Sequence, residues 1–439
     1  MDKKIIKKLI KLGLPVMAAT ILQVLLGSVD LFFVSRYGRD VASATTMGGG
    51  MFNVIFIISM LISAGLTPII SQNYGAGKIK TLKAYAKRGF ILSLILGSIV
   101  FIVVIFFNVD ILKFMYNPSE IVLKYSLKYL NIVYFATVFV FLNGTMRAIF
   151  HAVSDTITPL IILGGANVLN AILDYIFVGL FKMQIEGVAI ATVISIILST
   201  IILFICYRLK IGKMVSSEED LFISNSKILK IGSWSMMQQL ARPITGMLMY
   251  RIVFKINGSV GVAAFGIGGQ IFSYSFIFLS GLSVAISVLV GQSVGAENFK
   301  DIGKIIRNGF ILCFINIALF FIPYFVFSEQ LMRFFINDNE VIREGVRYLH
   351  IVYLGIILVP ISTVLGGYYL GIGKTQYPFW ASFISNVAIK VPIAYIMGIL
   401  LFRGVTGVWV AIMISVWIES FIMIGSYIKR GGKYEIEKN

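Results

Sequence analysis

The chain has 439 residues, 58% of them hydrophobic and 13% charged, and a mean hydropathy of +0.92, which excludes an ordinary water-soluble domain. Its formal charge of +18 invites a nucleic-acid partner. Membrane topology explains the basic residues better: with the N-terminus inside, Lys and Arg concentrate on the segments that face the cytoplasm.

In chain order, residues 1–12 pair a lysine face with an Ile/Leu face and are expected to lie along the inner membrane surface rather than to be cleaved as a signal peptide. Twelve windows long and apolar enough to cross ~30 Å of hydrocarbon follow. They are 14–35, 47–70, 89–109, 129–150, 159–181 and 187–207, then 230–254, 260–288, 309–328, 348–370, 378–400 and 407–428. The ~10-residue alternation of a β-barrel is absent. The segment 208–229, with Ser216–Asp220 (SSEED) and scattered lysines, is expected to be a cytoplasmic linker, and 429–439 a cytoplasmic tail. Both termini are placed in the cytoplasm, which makes this a multi-pass protein of the cytoplasmic membrane. Glycine and proline fit the same frame: Gly75 and Gly295 are expected to cap helices, Pro15 to open the first span and Pro392 to kink the eleventh.

The two sets of six windows repeat each other at an offset of about 220 residues. Gly48-Gly49 and Phe52 return as Gly268-Gly269 and Phe272. Gln72-x-x-Gly75-Ala76 returns as Gln292-x-x-Gly295-Ala296, and Tyr129-Leu130-x-Ile132-Val133-Tyr134 as Tyr348-Leu349-x-Ile351-Val352-Tyr353. Pro159 and Asn167 match Pro378 and Asn386, and Gly187-Val188 matches Gly407-Val408. Six spans per half is even, so both halves enter the membrane in the same sense. The expected fold is an all-α membrane protein of twelve transmembrane helices in two six-helix lobes, 13–207 and 230–428, related by a pseudo-two-fold axis along the membrane normal. A cavity between such lobes suits alternating access.

Polar residues inside these spans are costly and point to function. Asn167, Asn170 and Asp174 fall within roughly 60° of one helix face at ~100° per residue. Asp30, Asp174 and Thr192 each lie about 22–24 Å above the inner edge of their spans at 1.5 Å per residue, and Asn170 sits one turn below Asp174. These four oxygen-bearing side chains are candidates for coupling to H⁺ or for holding Na⁺. At the counterparts of Asp30, Asn170 and Asp174, the second half has Tyr250 or Met249, Ile389 and Ile393. It carries instead Gln238, Arg242, Lys390 and Glu419, which with Asn167 are candidate cavity residues. At least one of the two cations is expected to pair with Glu419; the functional alternative is that a spare cation meets an anionic group on the substrate. Cys206 and Cys313 stand at apolar positions, His151 and His350 near helix ends, and no phosphate-loop, nucleophile-elbow or zinc-helix motif occurs. No enzyme and no cofactor is therefore expected.

Gly13-Leu14-Pro15 followed by Asp30, Gln72-x-x-Gly75-Ala76, Asn167-x-x-Asn170-x-x-x-Asp174 and Gly187-Val188-x-x-Ala191-Thr192 together resemble the multidrug and toxic compound extrusion (MATE) family. That family lies within a superfamily that also contains lipid-oligosaccharide flippases. The resemblance covers essentially the whole chain. It implies extrusion of cationic or amphiphilic compounds in exchange for H⁺ or Na⁺, with a coupling site at the positions of Asp30, Asn170, Asp174 and Thr192. Several relatives also place an acid in the seventh or tenth span; none occurs in 230–254 or 348–370 here. That departure speaks against a second coupling site and against assuming a cationic substrate. The expectation is a monomeric secondary antiporter for a small-molecule substrate, embedded in the bilayer and without a nucleic-acid partner. The alternative is a flippase for an amphiphilic or lipid-linked substrate, in which Arg242 and Lys390 would bind phosphate.

Overall fold

The structure, a computed structural model, describes residues 2–212, 224–401 and 404–429. Half of the expected linker, residues 213–223, and nearly all of the tail lie outside the described residues. Within them the chain is helical, and ten helices are long and apolar enough to cross a membrane, or eleven if a pair bent by 47° is one span. The first repeat supplies α1 (Lys3–Ser35), α2 (Arg39–Gly75), α3 (Ile79–Tyr116), α4 (Glu120–Val133), α5 (Thr137–Ala152), α6 (Ile157–Asp174) and α7 (Gln184–Lys210). The second supplies α8 (Asn225–Gly295), α9 (Phe299–Phe325), α10 (Ser328–Phe335), α11 (Asn339–Ile356), α12 (Val359–Gly371), α13 (Gln376–Phe383), α14 (Val391–Tyr395) and α15 (Gly404–Lys429). The bent pair is α11 and α12.

Leu, Ile, Phe and Val dominate these helices, and many of their large side chains face outward: Phe106 is 75% exposed and Phe114 92%. Such a surface is stable only against lipid. At 1.5 Å per residue, the 71 residues of α8 would be roughly 106 Å long, more than three bilayer cores. The helix breaks at Asn257 (φ −135°, ψ 17°) and Gly258 (φ 54°, ψ −141°), where glycine tolerates the left-handed backbone.

The chain divides into two compact units, Pro15–Met236 and Met1–Leu14 with Met237–Asn439. The divisions fall inside helices rather than in the linker. Residues 3–12 are the first turns of α1, not a separate segment, and Ile5, Leu9 and Leu12 are buried in the core that contains Leu282, Leu289 and Ile306. Conversely, Ile228 and Ile231 at the start of α8 belong to the core of Phe52, Ile62 and Phe141. Each repeat thus places its opening turns in the unit built mainly from the other.

Local structure echoes between the units. Ser119 caps α4 by accepting from the Val122 amide, and Asp338 caps α11 by accepting from those of Glu340 and Val341. Gly75 and Gly295 do end their helices, but the left-handed residues of those turns stand two positions on, at Gly77 and Glu297. A Cβ on Gly48 would lie 2.5 Å from the Tyr129 ring, and one on Gly268 would strike Tyr348. Small residues here let a tyrosine approach a helix backbone closely.

The loop before α6 is held by Asp155. Its carboxylate accepts from the Thr158 amide (3.0 Å), the Thr158 hydroxyl (2.6 Å) and Lys210 Nζ (2.9 Å), joining the start of α6 to the end of α7. Burial by itself would push the Asp155 carboxyl up. The Thr158 hydroxyl and amide, and then Lys210, outweigh it and hold the group below its ordinary value of 3.8. A depressed carboxyl stabilises the fold above its unfolded value and loses that contribution as pH falls through the folded one. The melting temperature of Asp155→Asn should therefore lie below wild type at neutral pH, with the gap closing as the buffer is acidified below the ordinary carboxylate range. A gap that does not change with pH would rule this anchor out. A Cβ on Gly232 would collide with the Leu61 carbonyl, whereas one on Gly425 would meet nothing within 4 Å. In thermal denaturation followed by size exclusion, Gly232→Ala should cost about 1–3 kcal/mol or prevent folding. Gly425→Ala should be neutral, or stabilising by up to about 1 kcal/mol.

Candidate functional site

In the Pro15–Met236 unit, the four residues singled out by depth and face do converge. Asp30 comes from α1, Asn170 and Asp174 from α6 and Thr192 from α7; Asn170 and Asp174 are fully buried, Asp30 is 8% exposed and Thr192 6%. The Asp30 carboxyl lies against both the Asp174 carboxyl and the Thr192 side chain. With its amide oriented to satisfy both ends, Asn170 donates to Asp30 Oδ1 (3.2 Å) and accepts from the Thr192 backbone amide (3.2 Å). Asp174 Oδ1 and Thr192 Oγ1 have no protein hydrogen-bond partner, although both are buried. The described ion pairs include neither acid. Two facing carboxyl groups in an apolar surrounding need a shared proton or a bound cation. Carboxylate, amide and hydroxyl oxygens suit a hard cation such as Na⁺.

Local backbone sets this arrangement. Directly after Asp174 the helix widens into a π-helical turn, Tyr175–Leu180. Such turns leave carbonyls out of the regular ladder, and the Val178 carbonyl accepts from the Tyr37 hydroxyl at 2.8 Å. The second unit repeats the widening at Ile396–Leu400: Leu401 N donates to Ile396 O as Phe181 N donates to Ile176 O, both at 2.9 Å. A further π-helical stretch, Ile384–Lys390, ends just before Val391 and Pro392, so the expected proline kink takes the form of a change in helical winding. Asn167, a candidate cavity residue, instead donates to the Leu22 carbonyl of α1 at 2.7 Å and ties two helices together.

Sequence reasoning overlooked Tyr129. This buried residue on α4 lies beside Asp30, Asp174 and Thr192. Its signal was the repeated Gly48/Tyr129 and Gly268/Tyr348 pairing, because both partners of each pair recur.

In the other unit, Arg242, Lys390 and Asn386 line a cavity of about 210 Å³ together with Thr245, Gly246, Met249, Phe265, Tyr348 and Ile412. Gln238, on the same helix as Arg242, is half-buried and not part of the lining. Lys390 does not pair with Glu419 directly: its ammonium donates to Asn386 Oδ1, and Asn386 Nδ2 donates to Glu419 Oε2 at 3.1 Å. An amide thus separates the lysine from the acid.

Comparison with known proteins gives one consistent result. The family model described as MatE matches the chain twice, over residues 15–176 and 235–396. The chain is 28% identical over 437 residues to a probable multidrug resistance protein, NorM, of Thermotoga maritima, covering 98% of this chain and 93% of that one. Among solved structures it resembles a MOP superfamily transporter from Pyrococcus furiosus, described as having a binding pocket of reverse polarity. The TM-score is 0.89 at 20% identity, with 97% of this chain and 96% of the other covered. It also resembles a MATE structure in a bent conformation, with a TM-score of 0.90 at 20% identity, over 97% of this chain and 95% of that one. At such identity the likeness to solved structures establishes the fold.

Proposed function

The chain belongs to the MatE family, and from that premise we propose that it is a secondary active antiporter that exports small organic, amphiphilic compounds in exchange for H⁺ or Na⁺. The protein is a multi-pass membrane transporter and not an enzyme. On this reading the bent pair α11–α12 counts as one span and the two arms of α8 as separate spans, which gives twelve. These form two six-helix lobes about a pseudo-two-fold axis along the membrane normal, in a monomer with both termini in the cytoplasm. The relatives' description as multidrug resistance proteins supports an organic substrate.

The observation that carries the reading is the contact between the Asp30 and Asp174 carboxyls, on different helices, with Asn170 and Thr192 beside them. An ion that enters satisfies the acids and the orphaned oxygens together, and one that leaves forces them apart. Occupancy is thereby linked to the relative position of α1 and α6, which is the linkage an exchanger requires.

In proteoliposomes loaded with a fluorescent organic dye, an imposed pH gradient and an imposed Na⁺ gradient should differ, one driving efflux and the other not. Asp30→Asn should abolish that efflux while the protein still inserts and elutes as a single species. If Asp30→Asn exports dye at the wild-type rate, or if neither gradient drives export, the reading fails.

A further inference from the structure

The cavity that holds Arg242 and Lys390 occupies, in repeat register, the place of the acid cluster. At an offset of 219–220 residues, Tyr348 stands for Tyr129 and Ile412 for Thr192, and Met249 is, with Tyr250, one of the two positions that answer to Asp30. Tyr348, Ile412 and Met249 line the cavity. Thr192 has given way to an apolar wall residue while the tyrosine is retained, and Arg242 and Lys390 enter the lining from positions that in the first unit are the uncharged Gln23 and Ala171.

These cations are not consumed by the protein around them. The described ion pairs include neither Arg242 nor Lys390. The Lys390 ammonium has three N–H donors and spends one on Asn386 Oδ1. Glu419 reaches Lys390 only through the Asn386 amide, so one acid balances two cations at a distance. Apart from Thr245, whose hydroxyl donates to the Ala241 carbonyl, the rest of the wall is apolar and aromatic: Phe265 packs edge-on against Tyr348 (centroids 5.8 Å) and stacks on Trp409 (5.7 Å). A space of about 210 Å³ lies below the usual range for a whole drug-sized ligand and suits a charged group with the start of its apolar body.

We propose that this cavity binds the acidic group, a phosphate or carboxylate, of an amphiphilic substrate, with Arg242 and Lys390 as its ligands and Phe265, Met249 and Ile412 against its apolar part. The role as a substrate subsite rests on the transporter reading above and adds to it the chemical class of the cargo. Phosphate oxygens take the Arg242 fork and the two free Lys390 donors, both charge-assisted. Asn386, held by Glu419 and by the Ser382 carbonyl (3.0 Å), is a positioning residue that aims Lys390 into the space.

The test is calorimetric titration of the purified full-length protein in a neutral detergent with three short-chain probes. Hexyl phosphate represents a free acidic amphiphile, dihexanoyl phosphatidic acid a lipid-borne one, and hexyltrimethylammonium the opposite charge. At least one phosphate should bind at least about ten-fold more tightly than the ammonium. Lys390→Met and Arg242→Gln should each lose about ten-fold or more while still eluting as single species, and Lys390→Arg, which keeps the charge, should bind more tightly than Lys390→Met. The tighter of the two phosphates identifies the source as free or lipid-borne. The proposal is overturned if neither phosphate binds, if the ammonium binds as well, or if Lys390→Met binds phosphate like wild type. Phosphate binding by a protein that exports nothing under either gradient would remove the antiporter reading and leave the site. Gradient-driven export with no phosphate binding would remove the site and leave the antiporter.

Discussion

Two carboxyl groups pressed together away from water are the constraint around which the first unit is built. Each would be several kcal/mol more stable solvated, and neither has a basic partner among the described residues. The cost is contained by rigid surroundings. Asn170 clamps Asp30 to the backbone of α7, Tyr37 secures the widened turn after Asp174, and Asn167 pins α6 to α1. These contacts tie together the same helices that carry the two acids. On the antiporter reading, repulsion between the carboxyls when the site is empty works against those ties, across α1 and α6.

The second unit uses the same scaffold with inverted chemistry. The π-helical turn, the close glycine–tyrosine packing and the side-chain cap of α4 recur in it, the cap at α11, while Ile412 stands for Thr192 and the cations Arg242 and Lys390 join the cavity wall. At an effective dielectric of 20, an ammonium held about 6 Å from a fixed cation would be repelled by about 3 kcal/mol, roughly a hundred-fold in affinity. If both cavities bind as proposed, the two halves are not interchangeable.

Much of this could be read from the residues. Hydropathy marks the spans because ~30 Å of hydrocarbon demands about 20 apolar residues whatever the tertiary structure. The face shared by Asn167, Asn170 and Asp174 follows from helical geometry alone. Depth along a span brought Asp30 and Thr192 to the same level. Rotation about the helix axis decides the rest, and it is a property of packing. It turned Asn167 toward Leu22 as a strut, put Asn386 between Lys390 and Glu419, and left Gln238 outside the cavity. Tyr129 and Tyr348 look like ordinary apolar-face tyrosines until the glycines opposite them are seen as the room they need. Hydropathy is equally silent on which bundle a given apolar turn will join, so the burial of Ile5, Leu9 and Leu12 within the second unit had no signal in the local pattern.

That last feature bears on how the protein is made. The opening turns of α1 are translated well before the rest of the unit that encloses them, which resumes at Met237 within α8. At 5–20 residues per second, more than two hundred residues of elongation separate the two events by roughly ten to fifty seconds. During that interval a lysine-studded apolar stretch must wait without its partners, while the unit it leads into is already closing. The opening turns of α8 face no such delay, because their core is complete when they are translated. Biogenesis is thus asymmetric even though the sequence repeats, and the opening turns of α1 find their place later than the residues that directly follow them.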